Sequence, residues 1–231
     1  MHTRTPFRVS DADRVSEALR RYGFATLISA DERGRPYASR LATILRRDGD
    51  GRVRLWTHID RRNPQLETLA EDRELLLVAN GPDAYLSPAW YLRHPSVPSW
   101  NYIAVHVRGK PRFFADEQPQ LIDWLLRETV AEYESRRETP WTYDAPGKFH
   151  HRLARGFVGF EIEISELAAA FKLRHDKPEP NKRSVIGALG SAPDSGQREI
   201  ARLMELELGG GAFNDFGEIP PATIPTERTP G

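Results

Sequence analysis

The chain has 231 residues, enough to bury a real core, and its 33 Lys and Arg balance its 33 Asp and Glu, so no whole-molecule field draws it to nucleic acid or to a membrane surface. It has no cysteine, which excludes disulfides, thiolate nucleophiles, zinc–thiolate sites and thiolate-ligated haem and leaves any metal to His or carboxylate. No run of about 18 apolar residues occurs and the N-terminus is polar and charged from Arg4 to Arg14, so neither secretion nor membrane spanning is expected, and the cytoplasm is the expected compartment.

Ser10 or Asp11 can cap a first helix, whose apolar positions Val15, Ala18 and Leu19 recur at helical spacing up to Arg21. FATLISA (24–30) and YASRLATIL (37–45) flank the polar turn DERGRP and predict a hairpin. VRLWTH (53–58) alternates, with Val53 and Leu55 on one face and Arg54, Trp56 and His58 on the other. NPQLETLAEDR (63–73) reads as a short helix with Asn63 as cap and Pro64 in its first turn. ELLLVAN (74–80) and DAYLS (83–87) read as two strands separated by the Gly81-Pro82 break.

Residues 85–110, YLSPAWYLRHPSVPSWNYIAVHVRGK, hold Tyr85, Trp90, Tyr91, Trp100 and Tyr102 around stiffening prolines. A mere connection is short and polar, so this stretch reads as a pocket wall. In its strand, Ile103, Val105 and Val107 share the inward face, and Tyr102, Ala104 and His106 the other. A helix is expected over 117–135, with Leu121, Trp124, Leu125 and Leu126 facing the core. After the Pro/Gly-rich TPWTYDAPGKFHH comes a strand, GFVGFEIEIS (156–165), placed to close the sheet, with Val158, Phe160, Ile162 and Ile164 buried and Glu161 and Glu163 outward.

FKLRHDKPEPNKRS reads as a polar basic linker, followed by short helices near 182–189 and 195–207 and, from Gly209, a Gly/Pro-rich tail without periodicity that is expected to be disordered. The expected division is 1–178 as the cofactor-binding domain, 179–208 as a helical appendage and 209–231 as the tail. Several short strands with interspersed helices describe a mainly β protein, a closed or half-closed antiparallel barrel with peripheral helices.

The ordered blocks FATLIS, RLWTHIDRRNPQ, GPDAYLSPAWY, VPSWNYIAVHVRGK, GFEIE and FKLRHDKP resemble the PaiB-type proteins, FMN-binding regulators with the flavin-reductase-like split barrel; the resemblance covers about residues 24–189. It implies a homodimer with cofactor sites along the subunit interface. The family also includes piperazate synthases, which use haem b to form an N–N bond. Three departures suggest a specialised member: Arg40 in SRLA where the family pattern has a THLP-like histidine, ANGPDAY in place of FQGPHAY, and KLRHD in place of KLSQN. The resemblance therefore implies a haem-dependent enzyme that cyclises N5-hydroxy-L-ornithine to L-piperazic acid with loss of water; the alternative is an FMN-binding PaiB-like regulator or reductase.

His58 is the candidate iron ligand and catalytic centre, a neutral imidazole being suited to haem iron; its plainer role is to order the next turn by donating to a carbonyl. His94, in the aromatic loop, is the candidate distal catalytic group. His106 reads as an interface histidine, and His150 and His151 as solvated. Arg40, Arg54, Arg61 and Arg62 can pair with haem propionates or a flavin phosphate, with Ser39, Arg40 and Thr43 the nearest approach to a phosphate cluster. Trp90, Tyr91, Trp100 and Tyr102 can stack on a flat cofactor, and Lys172, Arg174, His175 and Lys177 can meet its carboxylates. No Walker loop, HExxH, dinucleotide GxGxxG or helix-turn-helix appears, so neither direct nucleic-acid contact nor a membrane partner is expected.

Overall fold

In the computed structural model, residues 1–114, 118–142, 154–173, 176–211 and 218–224 are described. The elements in chain order are β1 (Arg8–Val9), α1 (Ala12–Arg21), β2 (Phe24–Ala30), β3 (Pro36–Arg47), β4 (Val53–Asp60), β5 (Leu75–Leu86), β6 (Ser99–Phe113), α2 (Pro119–Glu134), β7 (Phe157–Lys172), α3 (Glu179–Gly190) and α4 (Ser195–Leu208). The strands are ordered β1-β7-β4-β3-β2-β5-β6, and β7 pairs with β6 as well as β4, so β2 to β7 close into a ring. The pairings β1–β7, β2–β3, β2–β5, β3–β4 and β4–β7 are antiparallel. Among the described residues, no helix is long and apolar enough to cross a membrane.

Local chemistry explains the hairpins. At the β2–β3 turn the Asp31 carboxylate accepts from the backbone N–H of Arg33 and Arg35, both at 2.9 Å. At the β3–β4 turn Asp48 does the same for Asp50 at 3.0 Å and Arg52 at 2.8 Å. Gly34 and Gly51 follow at φ +78° and +77°, in the left-handed region that costs a side chain most. The motif Asp-x-x-Gly-Arg is thus used twice to set strand register.

The chain divides into two compact units: Met1–Tyr22, Ala79–His106 and Leu167–Gly217 form one, and Gly23–Val78, Val107–Glu166 and Glu218–Gly231 the other. In the second unit Leu27, Leu45, Leu55, Leu77, Phe160 and Ile162 are buried among the strands. A further cluster contains Ile44 and Trp56 from β3 and β4 and Ile122, Trp124, Leu125 and Leu126 from α2. Trp56, on the same face of β4 as Arg54 and His58, is covered by α2. In the first unit, Asp11 caps α1 by accepting from Asp13 N and Arg14 N, while Asn101 donates to Met204 Sδ at 3.2 Å.

Four expectations change. The helix over 63–73 reduces to one 3-10 turn, Pro64–Thr68, capped by Asn63, because Gln65 turns inward and donates to Leu27 O, Ser29 Oγ and Tyr37 O. Residues 75–86 form one strand through Gly81-Pro82; a Cβ at Gly81 would stand 2.8 Å from the Tyr22 ring and 2.9 Å from Ile103, so this glycine marks a close approach rather than a break. β7 runs on to Lys172, where Ala169 and Ala170 pair with β1, and Phe171 and Leu173 of the expected linker are core residues. Within the expected tail, Ile219 is buried, Arg47 N donates to Pro220 O and Ala222 N to Arg47 O; the strand edge supplies the partners that this Pro-rich sequence cannot supply itself.

Candidate functional site

His58 lies near the end of β4, directly across from Gly159 of β7. Its imidazole packs edge to face on Phe157, and its Nδ1 is buried without a hydrogen-bond partner among the described residues. Burial pushes the His58 pKa below its ordinary value, because desolvation penalises the imidazolium. The side chain is therefore neutral near pH 7, with ring-nitrogen lone-pair chemistry available to a metal or a donor. Among the described residues, no carbonyl accepts from Nδ1. A buried ring nitrogen with no partner is the type of atom that a bound group satisfies.

Phe157 also lines a cavity of about 180 Å³ with Arg61, Arg155, Gln118, Phe114 and Gly159. Arg61 is tied across its rim: its backbone N–H donates to Gly156 O at 2.8 Å, Nε to Arg155 O at 3.3 Å and Nη2 to Phe157 O at 3.4 Å. Behind the wall, the Trp56 ring lies 5.6 Å from that of Phe114 and 5.3 Å from that of Trp124. Both indole N–H groups are buried without an acceptor among the described residues.

On the same unit Arg54 donates to Asp48 at 2.8 Å and to Glu161 at 2.7 Å. Burial raises the Glu161 pKa and the Arg54 charge opposes that rise. Arg54 and Glu161 thus hold each other, and Arg62 is likewise paired with Asp60 at 3.0 Å. Arg40 stacks on Phe24 with its guanidinium carbon 4.3 Å from the ring centroid and donates to Phe24 O at 2.7 Å. Its expected partners in a phosphate cluster are also engaged: Ser39 Oγ accepts from Asn63 Nδ2 at 2.9 Å, and Thr43 Oγ1 donates to Gly23 O at 2.8 Å.

The remaining candidates belong to the other unit. Trp100 is exposed and meets Tyr85 edge-on, with centroids 5.8 Å apart. Tyr102 is half-buried, with Lys172 Nζ 5.8 Å from its ring centroid, and that ammonium donates to Ser99 Oγ at 3.0 Å. Trp90 is half-buried and fixed through its carbonyl, which accepts from Ser184 Oγ at 2.7 Å, while Tyr91 is a core residue. His94 is exposed in the loop between Leu92 and Val97. Arg174, His175, His150 and His151 lie outside the described residues. Sequence reasoning missed Phe114 and Gln118, from the connection between β6 and α2, and the distant Arg155, which meet only in the fold.

A second, larger cavity of about 580 Å³ is lined by Ser29, Asp31, Glu32, Thr68, Arg73 and Glu74, among others. None of the sequence-derived candidates lines it. Among the described residues, no group of three or more His, Asp or Glu is arranged to hold a metal ion.

Residues 1–166 match the protein-family model described as "Putative FMN-binding domain". The chain is 31% identical over 204 residues, 87% of its own length and 95% of the relative's, to the protease synthase and sporulation protein PAI 2 of Bacillus subtilis (strain 168). It also resembles the solved structure of a conserved hypothetical protein from Mycobacterium tuberculosis at TM-score 0.55 and 14% identity, covering 78% of this chain and 95% of that one. A FAD and haem binding protein from Mycobacterium smegmatis superposes at TM-score 0.52 and 15% identity, covering 77% of this chain and 78% of that one. At these identities the structural likeness concerns the fold, which is the mainly β split barrel read from the sequence.

Proposed function

The chain belongs to the FMN-binding-domain family that its residues 1–166 match, and from that premise we propose that it binds haem b at His58 and acts as a piperazate synthase, cyclising N5-hydroxy-L-ornithine with loss of water. The observation that carries this reading is the half-buried His58, neutral near pH 7, whose buried Nδ1 has no hydrogen-bond partner among the described residues. Ser39, Arg40 and Thr43 are all engaged within the fold, which leaves the choice between haem and FMN to the imidazole. Likeness to a fold that carries FAD and haem in the M. smegmatis protein is compatible with either cofactor.

His58 would hold the iron, which supplies a Lewis acid for the hydroxylamine oxygen. The chain's own task is positional. A flexible diamine must fold into a six-membered ring with its two nitrogens in contact, and fixing that geometry beforehand removes several kcal/mol of the barrier. The reaction balances without an oxidant: an N–N bond forms, the N–O bond breaks, and hydroxide leaves as water with the proton shed by the α-amine. Phe157, Phe114 and Ile122 make an apolar wall that limits water, and Arg61 fixes the rim beside them.

Trp100 (52%), Leu92 (65%) and Val97 (71%) are exposed apolar side chains, which a second copy of the chain would cover in the homodimer that the resemblance implies. Light scattering should then report twice the 26.3 kDa of one chain; a monomer at micromolar concentration would contradict the dimer. The function itself is tested by incubating haem-loaded protein with N5-hydroxy-L-ornithine and following the cyclic hydrazine by mass spectrometry. Product formed by wild type and lost in His58→Ala supports the reading. No product from haem-loaded protein sinks it and favours the FMN-binding regulator or reductase that the family description suggests.

A further inference from the structure

We infer that the cavity lined by Arg61, Arg155, Gln118 and Phe157 receives the carboxylate of an amino-acid substrate. This rests on the function proposed above and assigns the substrate-recognition half of the same site. At about 180 Å³ the cavity is smaller than the roughly 300–1,000 Å³ that encloses a drug-sized ligand. It cannot take in a whole tetrapyrrole or flavin, but it can take in a small molecule or one substituent.

Charge narrows the class. Among the described residues, two arginines and one amide line the cavity and no Asp or Glu does, whereas the larger cavity sets Asp31, Glu32 and Glu74 against Arg73. A guanidinium presents a planar fork that matches a carboxylate, so the smaller cavity selects an anion and the larger one disfavours it. The wall opposite is apolar: Phe114, Ile122, Phe157 and Val158 suit a methylene chain. Gly159 makes this floor possible, because a Cβ there would stand 2.7 Å from the Phe114 ring and 3.0 Å from Ile122 Cδ1.

One side chain links the cavity to the proposed iron ligand. Phe157 lines the cavity and packs its ring on His58, while its carbonyl takes a hydrogen bond from Arg61. A compact amino acid anchored by its carboxylate at the arginines would therefore lay its chain along Phe157, beside the imidazole. The anion could instead be a carboxylate or phosphate of the cofactor, and the experiment separates these sources.

Full-length protein is titrated calorimetrically with L-ornithine and with 1,4-diaminobutane, which has the same diamine chain without the carboxylate. Wild type, Arg155→Ala, Arg61→Ala and the charge-keeping Arg61→Lys are compared, and the absorption spectrum of each reports bound cofactor. The expected result is binding of L-ornithine, with 1,4-diaminobutane and the Ala variants each at least about tenfold weaker, the loss anticipated for one charged hydrogen bond, and cofactor absorbance unchanged. Equal affinity for the two amines, or no binding of L-ornithine, overturns the inference. So does loss of cofactor in the Ala variants with L-ornithine binding intact, which would give the anion to the cofactor. Carboxylate-dependent binding in a protein that never takes up haem would uphold the pocket and remove the haem reading instead.

Discussion

His58 and Phe157 meet edge to face, with ring centroids 4.9 Å apart and planes at 79°. This contact removes the imidazole from water and lowers its pKa, which couples protonation to folding. In the unfolded chain the group titrates near its ordinary value of about 6.5; below that value the unfolded state binds more protons than the folded one. Stability should therefore fall as pH drops below about 6.5, with no contribution from this group above about pH 7.5. Urea midpoints measured from pH 7.5 to 5 should decline, and the decline should be shallower in His58→Gln. An identical slope in the variant would show that His58 is not the linked group.

A buried ion pair offers an independent test of packing. Arg46 donates to Glu132 at 2.8 Å, and both side chains are only 3% exposed. Arg46 also donates to Glu128 at 2.7 Å, so Glu132→Ala leaves the buried guanidinium one of its two carboxylates. Glu132→Ala should cost about 1.5–3 kcal/mol by chemical denaturation, the range for a hydrogen bond to a charged group, while replacing Arg46 and Glu132 together by Met and Leu should recover most of that loss. A double variant as unstable as the single one would contradict this assignment.

Two glycines should respond with opposite signs. A Cβ at Gly109 would lie 2.3 Å from Glu163 O, a backbone atom that cannot move aside cheaply, so Gly109→Ala should lower Tm by several degrees for a loss of about 1–3 kcal/mol. Gly187 sits within α3 with nothing within 4 Å of its Cβ position. Gly187→Ala should raise stability by about 0.5–1 kcal/mol. Thermal melts of the two variants check both signs together.

The legible parts of the fold were those governed by local chemistry. Asp11 ahead of α1 and the Asp-Gly turn of the first hairpin carry their own hydrogen-bonding partners. What was hidden depends on distant neighbours. Gly81 reads locally as a break, yet it lies in a strand because the Tyr22 ring occupies the space of a side chain. The run to Phe171 and Leu173 lacks alternation, and only the fold reveals those two residues as core. At the site, His58 was legible as a strand histidine in a specific motif, but its burial required Phe157 from β7. Arg155 and Gln118 carried no motif at all; only the closing of the ring brings them to the cavity beside Arg61.

Ligation of haem iron by His58 is tested by the absorption spectrum of protein expressed with a haem precursor, compared with that of His58→Ala. An intense Soret band is expected in wild type, abolished or strongly weakened by the substitution, with the far-UV circular dichroism unchanged. Flavin bands in place of a Soret band, or a Soret band indifferent to loss of the imidazole, would contradict it.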